Sequence, residues 1–218
     1  MNIEELSKLF KKSDHFHGIV KILVEDVLSH AFNENDKSWR NFSGDQPDEY
    51  AAAHDKFLKT GEIDFEKLAK VGFPSFENVN LLSAKILPNI KGLSDYLPIS
   101  SLGMSKDEVR QAIKSLISNS EHLQKFLNEV GKATWRCEYK ICNEIFDSEC
   151  AELCLSIILE LFFIAFEAYK THGTTNPELT PLVMAGAWTL ISFGFGIGSL
   201  MHGYNNCCWM HSNPNGEG

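Results

Sequence analysis

Apolar residues recur at helical spacing through the first 150 residues, interrupted by capping and breaking residues, and then crowd into two long apolar stretches. Ser13-Asp14 precedes Gly18–His30, a broad apolar face suited to a core. Asn33–Gln46 reads as a polar loop, and Pro47 opens a helix over Asp48–Lys59 that Gly61 closes. Asp64 can cap Phe65–Val71, with Gly72 as its stop. Ser75 can cap Phe76–Leu87, which Pro88 is expected to end, leaving residues 88–104 as an irregular connector rich in Pro and Gly. Ser105 and Glu108 have capping-box spacing and predict a helix to Ser118. Further helices are predicted over Ser120–Val130 and Lys132–Phe146, and Asp147-Ser148 and Thr180-Pro181 are expected to open the two apolar helices. The only alternating run, Phe193–Gly198, lies in a uniformly apolar context. The expected fold is all-α: a multi-helix bundle of about eight helices with a C-terminal hydrophobic helical hairpin.

Four regions follow from this pattern. Residues 1–104 form an N-terminal amphipathic helical region, 105–149 a helical connector, 150–204 the hairpin and 205–218 a polar tail containing Cys and His. The 38 residues Leu179–Gly216 contain no Asp, Glu, Lys or Arg. Within them the 20 residues Leu182–Met201 would make a helix about 30 Å long, the thickness of a hydrocarbon core.

In the first apolar segment the polar residues Glu152, Ser156, Glu160 and Glu167 fall within about 80° of arc. Such a stripe suits a pore lining or a partner helix, and equally the wet edge of a buried core helix. A central Glu costs roughly 2.5–3.5 kcal/mol to insert, and each Leu, Ile or Phe returns roughly 0.3–0.6 kcal/mol. The 10 such residues between Leu153 and Phe166 nearly balance that cost, so this helix is expected to insert only as half of a hairpin. Protonation of its carboxylates would lower the cost, so acid is expected to favour insertion. In the second segment Gly194 and Gly198 have GxxxG spacing, and Ser192 with Gly196 repeats it, a face on which helices approach closely. Tyr169, Tyr204 and Trp209 suit a membrane–water interface. All 20 Lys and Arg precede residue 171, so charge bias would keep the termini cytoplasmic and put the connecting loop across the membrane.

Net charge is −9 and no basic stripe is present, which argues against nucleic acid as a partner. The opening Met1-Asn-Ile-Glu-Glu lacks the pattern of a secretory signal, so a cytosolic start and mostly reduced cysteines are expected. An antiparallel hairpin would bring Cys150 and Cys154 towards His202, Cys207, Cys208 and His211, and all six cysteines, with Cys137 and Cys142, could gather at its base. Zinc ligation, disulfides, acylation and inert buried thiols are the alternatives for this group. No catalytic spacing or phosphate-binding loop is found, and no cofactor is expected.

In architecture alone, the chain resembles α-helical pore-forming and translocation domains, which shelter a hydrophobic hairpin under amphipathic helices. That resemblance implies membrane insertion without catalytic residues. The expected function is therefore non-enzymatic: insertion of the hairpin into a bilayer, with homo-oligomers permeabilising it, as in a toxin, a secreted effector or a defence effector. The protein would reside in the membrane, with a soluble form before insertion left open. A soluble all-α interaction module whose apolar hairpin is the buried core is the alternative.

Overall fold

The computed structural model describes residues 1–29, 32, 52, 56, 59–60, 76–98, 103–133, 135–172 and 179–212, with side chains undescribed at 76–83, 164–172, 179–188, 190–191 and 194–195. The described residues are all-helical, with no strand, and form seven α-helices. These are α1 (Ile3–Lys12), α2 (Asp14–Lys21), α3 (Phe76–Tyr96), α4 (Lys106–Ser118), α5 (Glu121–Val130), α6 (Lys140–His172) and α7 (Leu179–Ser212). The loop expected over 33–46 and the helix over 65–71 lie outside the described residues, as does most of the helix over 48–59, of which residues 52, 56 and 59 are helical.

Short polar side chains set the helix starts. Asn2 and Glu5 make a capping box on α1, a helix not expected from the sequence. The Ser13 hydroxyl accepts from Phe16 N at the start of α2, and Ser120 does the same for Leu123 N at the start of α5. Ser105 and Glu108 close the expected capping box on α4.

Beyond Lys21 the chain widens into π-helical turns over Ile22–Leu28. The buried positions here are Ile19, Val20, Leu23, Val24, Val27 and Leu28, pairs recurring every fourth residue. A 3.6-residue turn would rotate such pairs steadily out of the core, and wider turns bring them back. Glu25 and Asp26 then reach neighbouring helices, Glu25 meeting His122 Nδ1 at 2.7 Å and Asp26 meeting Lys85 Nζ at 2.7 Å.

Three expected boundaries are corrected. Pro88 does not end its helix, because α3 runs through it to Tyr96, so 88–96 is not an irregular connector. An interior proline costs about 3 kcal/mol through a lost hydrogen bond and a clash. Here Pro88 and Ala84, whose carbonyl it frees, both lie on the exposed face, while Ile86, Ile90, Leu93 and Leu97 bury the opposite one. Asp147-Ser148 does not start a helix, because α6 begins at Lys140 and the segment before it is turn and loop. Residues 205–212 are helical rather than tail.

One hydrophobic core joins every described helix across the four expected regions. The centre is the pair α6 and α7, packed together, with α3 against both and α4 against α6. The N-terminal helices pack onto this frame, α1 on α4 and α2 on α3. Where α2 meets α3, the His15 ring rests over Gly92 and the Asn89 side chain over Gly18, and either would have to shift to admit a Cβ.

Candidate functional site

Helices α6 and α7, of 33 and 34 residues, are the longest described. Cys142 near the start of α6 is bonded to Cys207 near the end of α7. Eleven residues further along α6, Leu153 faces Gly196, eleven residues back along α7, so the two helices run antiparallel. A Cβ on Gly196 would press on the Leu153 side chain, which would have to shift to admit it. Along α6 the residues Cys142, Phe146, Cys150, Cys154, Ile158 and Phe162 form a buried stripe, joined from Cys154 onward by Leu155, Ile157, Leu159 and Leu161. On α7 the buried positions include Phe193, Ile197, Leu200, Met201 and Tyr204.

Two disulfides fasten the base of this pair, Cys137–Cys208 and Cys142–Cys207. The expectation of mostly reduced cysteines is thereby corrected, and so is that of six gathered cysteines. Cys150 and Cys154 are free thiols in the core, because the helix face they share points inward. His202 is also apart from the group and bonds Asn206 at 2.9 Å. His211 does join it: Nδ1 lies 3.8 Å from Cys142 Sγ and 3.9 Å from Cys207 Sγ, and donates to the Cys207 carbonyl at 2.9 Å.

Next to the disulfides, Tyr204 is 3% exposed. Its hydroxyl accepts from Cys137 N and donates to Asn143 Oδ1, each at 2.8 Å, and so fixes the loop before α6 onto α7. The Arg136 guanidinium lies 4.8 Å from the centre of the Phe146 ring and 5.7 Å from that of Tyr204, and ion-pairs with Asp147 at 2.7 Å. Arg136 Nη1 and Trp135 Nε1, both buried, have no hydrogen-bond partner among the described residues.

Of the acidic stripe, Glu152 bonds Arg110 and Lys114 on α4, the latter at 2.9 Å. Each of these three side chains is more than a third exposed, so solvent screens the pairs and each contributes at most about 1 kcal/mol. Ser156 and Glu160 are half-buried, and the side chains of Glu167 and Tyr169 lie outside the described ones. Ser192 is half-buried, Gly198 is buried, and the surroundings of Gly194 are undescribed. Trp209 is 54% exposed, beside the exposed Met210.

Burial pushes the Cys154 thiol from 9.0 up to about 12, and burial likewise raises Cys150 well above its ordinary value, with the thiol of Cys154 adding to the effect. Both are therefore protonated and unreactive in the folded state at neutral pH. Well below pH 9 these thiols are neutral folded and unfolded and do not change stability. For Cys154 the unfolded thiol ionises first between about pH 9 and 12, so stability falls there by roughly 1.4 kcal/mol per pH unit, and Cys150 acts in the same direction. The Cys150→Ala, Cys154→Ala variant should therefore lose less stability than the parent from pH 9 to 11 in urea titrations. Parallel curves would refute the burial of these groups.

The described residues hold two candidate metal groups, Cys137–Cys142–Cys208 and Cys142–Cys207–His211. No described helix is long and apolar enough to cross a membrane. Comparison with protein-family models, with curated proteins and with solved structures gives no match.

Proposed function

We propose that this chain is a non-enzymatic membrane-acting protein that shelters a hydrophobic helical hairpin, α6–α7, at rest and inserts it into a bilayer, oligomerising to permeabilise it. The observation that carries this reading is the arrangement of the two longest helices. They are consecutive and antiparallel, they are fastened at one end, and shorter helices pack around them. At 1.5 Å per residue each is about 50 Å long, more than a hydrocarbon core requires. A clasped pair would enter as a unit, with Glu152 leaving Arg110 and Lys114 and the outer helices spreading on the surface. A toxin, a secreted effector and a defence effector would each use this physics.

A second reading, a soluble all-α interaction module with the pair as permanent core, is favoured by one observation: the buried residues of α6 and α7 belong to the same hydrophobic core as those of the shorter helices. Dye release from liposomes separates the two. The first reading expects release that rises with protein concentration, resists carbonate extraction, is increased by Glu160→Gln and is lost in Gly196→Lys. Circular dichroism of both variants checks that the bundle is intact. No release at neutral or acid pH, with full recovery in the soluble fraction, would leave the interaction module.

A further inference from the structure

We propose that Cys137, Cys142, Cys207 and Cys208, with His211 beside them, form a zinc-binding site when their two disulfides are reduced. The proposal goes beyond the membrane reading and does not depend on where the hairpin resides. Zinc favours four thiolate or imidazole ligands in a tetrahedron, with Zn–S near 2.3 Å, so neighbouring ligand atoms lie about 3.8 Å apart. The sulfurs of Cys137, Cys142 and Cys208 lie within 4.8 Å of one another, as do the ligand atoms of Cys142, Cys207 and His211. His211 Nδ1 is at 3.8 and 3.9 Å from two of these sulfurs, close to a tetrahedral edge. Opening an S–S bond lets each sulfur pair part to that same edge length, and the Cα–Cα distances of 6.0 and 5.8 Å change little.

The two groups meet at Cys142: the sulfurs of Cys137, Cys142 and Cys208 would supply three positions, and Cys207 or His211 the fourth once the disulfides are open. His211 would have to release the Cys207 carbonyl to ligate through Nδ1. The supports are rigid: Cys142 sits on α6, Cys207 and Cys208 on α7, and Cys137 is held through its own N–H by Tyr204. A zinc ion with three or four thiolates carries net negative charge. Arg136, next to Cys137, brings a buried guanidinium that pairs with Asp147 through Nη2 and whose Nη1 has no hydrogen-bond partner among the described residues. The electron balance is simple. A dithiol reductant gives two electrons and two protons to each S–S bond and becomes a disulfide itself, and Zn²⁺ then displaces thiol protons into the buffer.

The test uses the full chain, reduced by a dithiol that is then removed without oxygen, and titrated with Co²⁺ followed by Zn²⁺. The expected result is one equivalent of Co²⁺ per chain, with a thiolate-to-metal charge-transfer band and tetrahedral d–d bands. Zn²⁺ should abolish both, and the helical circular dichroism should be unchanged or restored. The bands should persist in Cys150→Ala, Cys154→Ala and disappear in Cys142→Ser and in Cys208→Ser. A reduced chain that stays helical without binding metal overturns the proposal. So does metal binding without helical structure, or bands that depend on Cys150 and Cys154 instead.

Discussion

Replacing all four clasp cysteines by serine should lower the unfolding free energy by about 6 kcal/mol, most of it from a single cross-link. Cys137–Cys208 spans 71 residues of sequence, and closing a loop of that length beforehand removes about 4 kcal/mol of chain entropy from the unfolded state. With that bond in place Cys142–Cys207 closes only a short ring and adds about 2 kcal/mol. The doubly substituted Cys142→Ser, Cys207→Ser protein should therefore be intermediate. Urea unfolding under oxidising conditions, with a chelator present to exclude metal, measures each step. Alkylation gives an independent count: no cysteine modified in the native protein, two modified after unfolding without reductant, and six after reduction. Four modified in the unfolded, unreduced chain would mean that one bond is missing.

The Phe146→Ala substitution should cost about 3–5 kcal/mol, the range for a large ring removed from a packed core. Phe146 is fully buried, and its ring centre lies 5.3 Å from Phe32, 5.6 Å from Trp135 and 5.1 Å from Tyr204. It is also the nearer of the two rings under Arg136, so its removal takes both apolar contact and a cation–π partner from a side chain only 8% exposed. Phe146→Leu keeps most of the volume and loses the ring face, so it should fall between parent and Ala. Urea midpoints order the three proteins. A cost below about 1 kcal/mol for Phe146→Ala would mean that this aromatic cluster does not hold the base of α6 and α7.

Local chemistry was more legible in the sequence than the meeting of distant segments. Ser13, Ser105 and Ser120 each announce a helix because the capping hydroxyl acts within three residues. Asn2 and Glu5 carry the same signal, and with Leu6 and Phe10 spaced four apart they could have revealed α1. Pro88 misled because a proline's cost depends on which face it occupies, and that is set by α2, α6 and α7 packing on the other side. The buried pairs Ile19/Val20, Leu23/Val24 and Val27/Leu28 announce a helix with one apolar face, but spacing by four suits α and π turns alike, so the widening itself is not legible in the sequence. The antiparallel return of α7 brings Cys207 and Cys208 back to Cys137 and Cys142 at the base of the pair. Separating Cys150 and Cys154 from the others required the rotation of α6 about its own axis, which sequence spacing does not fix. Four cysteines also allow three pairings, and only the placement of Cys137 beside Cys208 chooses among them.

The clasp also decides how the molecule bears mechanical load. When tension is applied between a point before Cys137 and a point after Cys208, the force path runs through the Cys137–Cys208 bond and bypasses the residues between them. Helix α6 and the part of α7 up to Cys208 then hang as a covalently closed ring outside the stressed line. They stay slack while the outer helices are peeled away, so pulling dismantles the cover before it strains what lies beneath.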